Sequence, residues 1–186
     1  LMQKAANISA EAHMRAMAAT KPGMHEYEIE AILLDHFRKN GSERVAYGCI
    51  VGSGPNATIL HYRSNDRKMN PGELLLIDAG CEYGYYASDI TRTFPVSGKF
   101  TKAQAEVYEV VLEAQLAGID LARVGGSIDA IHKCCVEKLT SGMKQLGILD
   151  GDVDALIAEE KYKPFYMHRT SHWLGMDVHD AGAYYV

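Results

Sequence analysis

No apolar run in the sequence approaches the ~20 residues that a membrane-spanning helix needs. Lysine and arginine are outnumbered by acidic residues, and the 186-residue chain carries a net charge of −5. The first absence argues against a membrane protein. The second argues against a nucleic-acid binder, which usually presents a basic face. No signal peptide is visible, and the first residue is Leu1 rather than Met, so the chain is expected to be a piece of a longer one. The four cysteines, Cys49, Cys81, Cys134 and Cys135, form no C-x-x-C pair and no zinc-finger spacing. Reduced thiols in a reducing compartment are expected, and a cytoplasmic location with them. G-x-G-x-x-G and Gly-Lys-Ser are missing too, which leaves the glycines of residues 52–54 with little claim on phosphate.

What the chain does have is the stretch Glu73–Phe94. A run of Leu74, Leu75, Leu76 and Ile77 ends there on Asp78. Gly80 and Gly84 mark a turn, and a second carboxylate, Asp89, follows Tyr85, Tyr86, Ala87 and Ser88. Aromatic and β-branched residues on both sides of the glycines predict a β-hairpin. With the turn centred between Tyr83 and Gly84, Asp78 faces Asp89, with Cβ atoms roughly 4.5–5.5 Å apart. Two carboxylates that close resist ionisation unless a proton or divalent metal sits between them. Two-metal hydrolytic sites hold ions roughly 3.5–4 Å apart, a spacing such a pair can bridge. The alternative is a solvent-exposed hairpin whose aspartates serve the turn.

The rest reads largely as scaffold. Lys4–Ala19 predicts a helix with Ala5, Ile8, Ala12, Ala16 and Ala19 on one face. A second helix fits His25–Lys39, with Ile29, Ile32, Leu33 and Phe37 inward and Asn40-Gly41 as its exit. His13, His25 and His36 lack acidic or cysteine partners at ligand spacing and read as structural. Tyr47–Val51 and Thr58–Tyr62 read as strands joined by a loop, with His61 at the end of the second. Asn70-Pro71-Gly72 is a turn. Thr101 and Gln104 form a capping box for a helix running to about Arg123. Its apolar stripe is Val107, Val110, Val111, Ala114, Ala117 and Gly118. Ser127 caps another long helix, Ile128–Leu146. Only a short helical piece is expected between Asp150 and Lys163.

Three of the eight histidines fall in Tyr166–Asp180: His168, His172 and His179. His168 and His172 are spaced i, i+4, a metal pair on a helix. No H-E-x-x-H is present, however, and Gly175 with Val178 favours a strand or loop. In a strand His168 and His172 share a face and His179 does not. One histidine beside two aspartates is a suitable donor set for a divalent ion. Three unrelated histidines are the alternative.

Several segments together resemble the catalytic domain of aminopeptidase P, the Xaa-Pro aminopeptidases among the metal-dependent pita-bread peptidases. They are Tyr47–Gly54, Ile59-Leu60-His61-Tyr62, the hairpin from Asp78 to Phe94, Met167-His168 and Ser171–Asp180. The resemblance implies an α+β pita-bread fold, an antiparallel sheet flanked by helices. It implies hydrolysis of an N-terminal Xaa-Pro bond by a hydroxide bridging two divalent ions, Mn²⁺ foremost, with Zn²⁺ or Co²⁺ as alternatives. Asp78, Asp89 and His172 would bind metal. His61, His168 and His179 would act on substrate as catalytic and binding groups, with Tyr47 near the pocket for the N-terminal side chain. Thr91 shares strand parity with Asp89 and would be a supporting hydrogen-bond donor to the site.

The family site also uses two further glutamates, for which no matching carboxylates are found here. Residues 1–186 are therefore expected to be a partial catalytic domain. It would lack the family's smaller N-terminal domain and the last part of the catalytic domain, and alone would have little activity. Partners would be peptides beginning Xaa-Pro, with a homodimer or homotetramer possible, and no nucleic acid or membrane. Prolidase, which cleaves Xaa-Pro dipeptides, is one rival reading. A pita-bread domain kept as a metal-free binding module is another.

Overall fold

The computed structural model describes residues 1–184. They divide into two compact units, one comprising Leu1–Phe100 with Trp173–Ala181, the other built on Thr101–His172.

The first unit opens with two helices, α1 (Met2–Ala19) and α2 (Glu26–Lys39). The small and branched residues of the expected α1 stripe, Ala5, Ile8, Ala12 and Ala16, are buried, and so are Ile29, Leu33 and Phe37 of α2. Each large side chain of that set contributes roughly 1.5–3 kcal/mol by leaving water. His25 sits at the α2 N-cap, where its backbone N–H donates to Glu28 Oε2 at 2.6 Å. Two short strands follow, β1 (Arg44–Val45) and β2 (Ile50–Ser53). The strand expected over Tyr47–Val51 therefore begins three residues late, because residues 46–49 bend before the ladder starts. No strand forms over Thr58–Tyr62. A 3-10 helix, Gly54–Thr58, and a turn take its place.

The centre of this unit is β3 (Leu74–Ala79), flanked by β2 and by β5 (Ile90–Pro95) in an antiparallel sheet ordered β2-β3-β5. Between β3 and β5, β4 (Cys81–Glu82) leaves to pair with β1. Along β3 the side chains alternate. Leu75, Ile77 and Ala79 are fully buried in the core with the two helices, while Leu74, Leu76 and Asp78 lie half-buried on the opposite face. A period of two thus decides that Asp78 points away from the helical layer.

The register differs from the expected one. Asp78 pairs with Thr91, and Ala79 with Ile90. Tyr83 bridges to Tyr86, so the turn is centred between Gly84 and Tyr85, one residue later than expected. Asp89 therefore does not face Asp78. It shares its face as a diagonal neighbour, because moving a turn centre by one residue moves every facing partner by two and keeps parity.

The second unit is helical: α3 (Lys102–Leu121), α4 (Ile128–Gln145) and α5 (Val153–Ala158). Thr101 and Gln104 form the expected capping box, and the Ser127 hydroxyl accepts from the Ala130 N–H at 3.1 Å. α3 and α4 run antiparallel in close contact through glycines. A Cβ at Gly142 would lie 2.2 Å from Val110 Cγ1, and one at Gly118 would lie 3.1 Å from Cys135 Sγ. The α3 stripe is only partly internal. Ala114 and Gly118 are buried, whereas Val107 and Val111 are about half exposed at 46% and 50%.

Candidate active site

Asp78, at the end of β3, and Asp89, just before β5, converge on one group, the Tyr47 hydroxyl. Tyr47 Oη lies 2.5 Å from Asp78 Oδ1 and 2.7 Å from Asp89 Oδ1. The two carboxylate oxygens thus lie no farther apart than those two distances laid end to end. A phenol has a single proton to donate, so it cannot fully satisfy both acceptors at once. Burial, and then Asp78, push the Tyr47 hydroxyl far above its ordinary range, so it stays a donor. Burial of Asp78 pushes its carboxyl up; hydrogen bonds from Tyr47 and Thr91 and the nearby His13 oppose this, while the Asp89 charge adds to it. Thr91 thus donates to the site, at Asp78, the residue it faces.

The position of Asp89 is fixed by a buried hydroxyl network. The Ser9 and Ser88 hydroxyls lie 2.8 Å apart. The Cys81 N–H donates to Ser9 Oγ at 2.9 Å, and Ser88 Oγ donates to the Cys81 carbonyl at 2.7 Å. Ser9 and Ser88 are 0% and 1% exposed, so α1 holds the residue next to Asp89 from inside the core. Behind the sheet His13 is also buried. Its Nδ1 lies 2.9 Å from the Ser9 carbonyl, and among the described residues its Nε2 meets no hydrogen-bond partner within bonding distance. The other two histidines expected on the first two helices do have acidic neighbours: His25 lies 3.5 Å from Glu28 and His36 lies 3.4 Å from Glu11.

Sequence reasoning missed a second carboxylate centre. Glu26 is fully buried and accepts from the Ser53 N–H and hydroxyl, both at 2.7 Å, from the Tyr62 hydroxyl at 2.7 Å and from the Arg67 N–H at 3.0 Å. An acidic residue in the first turn of a helix reads as a response to the helix dipole, and nothing in the sequence separates that role from this one. Nearby, the Arg67 guanidinium donates to both Glu73 oxygens at 2.7 and 2.6 Å, and holds the Glu73 carboxyl down at about 2. A folded-state value below the unfolded 4.5 adds stability that is complete above pH 4.5 and is lost as pH falls towards 2. Urea unfolding across that range should show a loss of about 2 kcal/mol, absent in Glu73→Gln.

The histidines are distributed as follows. His61 follows the 3-10 helix in a turn, exposed and with φ of 57°. His168 and His172 belong to the second unit and His179 to the first. None lies in a helix or strand, so the strand parity expected to put His168 and His172 on one face does not apply. His168 and His179 are exposed and His172 is half-buried. Among the described residues no group of three His, Cys, Asp or Glu side chains is close enough to hold a metal ion. What the structure brings together is the aspartate pair. Its hard oxygen donors, partly buried, suit a divalent cation, which would offset the repulsion between them. Tyr47, expected near a substrate pocket, has its hydroxyl between the two carboxylates.

The chain matches the model of metallopeptidase family M24 over residues 1–186. It is 51% identical to the Xaa-Pro aminopeptidase of Haemophilus influenzae over 184 residues, 99% of this chain and 43% of that protein. The aminopeptidase PepP of Pseudomonas aeruginosa superimposes with a TM-score of 0.98 at 55% identity, over 100% of this chain and 42% of that one. A zinc-substituted Escherichia coli aminopeptidase P in complex with product superimposes with a TM-score of 0.96 at 51% identity, over 98% of this chain and 41% of that one. The chain thus spans less than half the length of these relatives. Its α+β arrangement of antiparallel sheet and helices is that of the pita-bread aminopeptidases. By sequence and by fold, the chain belongs to metallopeptidase family M24.

Proposed function

We propose that the protein hydrolyses the N-terminal Xaa-Pro bond of peptides, using divalent metal held in part by Asp78 and Asp89. The observation that carries this reading is the pair of carboxylates converging on one tyrosine hydroxyl, in a chain 51% identical to an Xaa-Pro aminopeptidase. His172 is the third metal-binding residue in this reading, and Mn²⁺ the metal. Divalent ions in such a site supply a polarised substrate carbonyl and a water that is deprotonated at neutral pH. The chain's own residues do the rest. Tyr47 keeps its proton and orients both carboxylates. Asp78 is held ready by Thr91. His61, His168 and His179 bind the peptide and donate hydrogen bonds to the oxyanion that forms at the scissile carbonyl. Proline after that bond lacks an N–H and has a fixed φ, so ring shape can be selected. The four cysteines are all free thiols, which supports a reducing, cytoplasmic setting.

Cleavage of an Xaa-Pro-Xaa tripeptide, and not of Xaa-Ala-Xaa, is the expected result with the protein at its natural length. Preference for the Xaa-Pro dipeptide over the tripeptide would instead favour prolidase. Tyr47→Phe should retain the ring and lose the hydroxyl. The expected loss is about 10- to 100-fold in activity or metal affinity, the usual effect of removing a group that orients metal-binding residues. Steady-state kinetics beside a Mn²⁺ titration would show it; unchanged values would remove Tyr47 from the site.

A further inference from the structure

The segment that carries His168 and His172 has no regular secondary structure, yet two side chains of α4, His132 and Asp129, hold it at Thr170 and Arg169. The Thr170 N–H donates to His132 Nδ1 at 3.3 Å, and the Thr170 hydroxyl lies 3.2 Å from the same nitrogen. The Tyr166 hydroxyl is in short contact with the Thr170 hydroxyl. The Thr170 N–H and hydroxyl share one acceptor, the single lone pair of a neutral His132 at Nδ1. Burial first, then Arg169 and His168, keep His132 below the ordinary histidine range against the pull of Asp129, which preserves that lone pair.

One turn earlier on the same face of α4, Asp129 accepts from Arg169 Nη2 at 2.8 Å, while its other oxygen pairs with Lys133 at 2.8 Å. Asp129 and His132 therefore grip consecutive residues, Arg169 and Thr170. Beyond the grip, Ser171 is held at φ of 67°, a conformation that a non-glycine residue keeps only where its surroundings impose it. Before the grip, the His168 ring stacks edge-on against Tyr166 at 4.9 Å, and its Nδ1 lies 3.0 Å from the Arg169 carbonyl. With Nδ1–H donating there, Nε2 keeps the free lone pair.

We propose that Asp129 and His132 are positioning residues: they clamp the segment 166–170 to α4 and so set the orientation of His168 and His172. This rests on the hydrolase reading for its catalytic consequence, but not for the clamp itself. The test uses the protein at its natural length, with His132→Leu to remove the acceptor and His132→Asn to keep an oxygen near the Nδ1 position. In His132→Leu, kcat on an Xaa-Pro-Xaa tripeptide should fall about 10-fold or more. Mn²⁺ affinity should fall about 10-fold, and hydrogen exchange at the Thr170 amide should speed up. KM should rise as well, because His168, a peptide-binding residue in this reading, is no longer held in place. His132→Asn should restore all four, and Asp129→Asn should show a weaker form of the same defect.

A purely structural role would lower Tm while leaving kcat and metal affinity at wild-type values in folded enzyme. That result overturns the proposal, as does an unchanged Thr170 amide in His132→Leu. If the wild type neither cleaves the tripeptide nor binds Mn²⁺, the hydrolase reading fails instead. The clamp is then judged on Thr170 exchange and on the imidazole NMR signals of His168. Unchanged signals in His132→Leu refute it.

Discussion

Asp78→Asn is expected to make the metal-free protein more stable while it destroys metal-dependent activity. The carboxyl is held above its ordinary value by burial and by the charge of Asp89. A raised folded-state value means that Asp78 adds stability below the unfolded value of 3.8 and loses it as pH rises through the folded one. At pH 7 the ionised carboxyl is therefore a burden on the fold. Asparagine keeps an oxygen for the Tyr47 hydroxyl and removes the charge. Relieving one like-charge contact between neighbouring strands is worth up to about 1 kcal/mol. Unfolding in EDTA should show that gain at pH 7 and none below about pH 4. Activity should move the other way. Metal supplies several kcal/mol of transition-state stabilisation, so losing a metal-binding residue should lower kcat/KM at least ~10³-fold. A variant that is both less stable and fully active would mean that the pair is an ordinary structural cluster.

Gly80→Ala should be the most damaging single substitution for the fold of the first unit. Gly80 lies opposite Asp89 where β3 gives way to β4, and a Cβ there would lie 1.7 Å from the Ser88 carbonyl oxygen and 2.5 Å from its carbon. The obstacle is backbone, anchored by the Ser9–Ser88–Cys81 network, so it cannot rotate aside. A loss of about 4 kcal/mol or more is expected, at the upper end for a single substitution and comparable to the whole stability of a marginal domain. Gly72→Ala is the control. It has φ of 81° and nothing within 4 Å of the added methyl, so about 1 kcal/mol is expected. Denaturant midpoints of the two variants, measured side by side, separate steric overlap from backbone conformation.

Much of the fold was legible because local chemistry and tertiary packing agree. The α1 stripe of Ala5, Ile8, Ala12 and Ala16 is the face that packs, and Thr101 and Ser127 cap the helices they precede. The strand expected over Thr58–Tyr62 fails for a long-range reason. Glu26 gathers donors from Ser53, Asn56, Tyr62 and Arg67, and this pulls the segment into a 3-10 turn against its β-branched composition. The aspartate pair was legible through parity. The turn centre is displaced by one residue, yet both carboxylates remain on one face of the sheet. The Tyr47 hydroxyl between them was not legible, because residues 46–49 bend rather than continue the strand, and no periodicity says where a bent segment aims its side chains. His132 and Asp129 fall in the helix that Ser127 caps, and nothing in the sequence marks them out. Their partners, Thr170 and Arg169, lie 38 and 40 residues away, beyond the reach of local pattern.

The aspartate pair as a metal-binding centre is tested most directly by Mn²⁺-dependent release of the N-terminal residue from an Xaa-Pro-Xaa tripeptide. The wild type and Asp89→Asn, both at natural length, would be compared with Xaa-Ala-Xaa alongside. Predicted is cleavage of the proline peptide alone, by the wild type alone, abolished by EDTA and restored by Mn²⁺. Equal cleavage by Asp89→Asn, or wild-type cleavage that persists in EDTA, would contradict it.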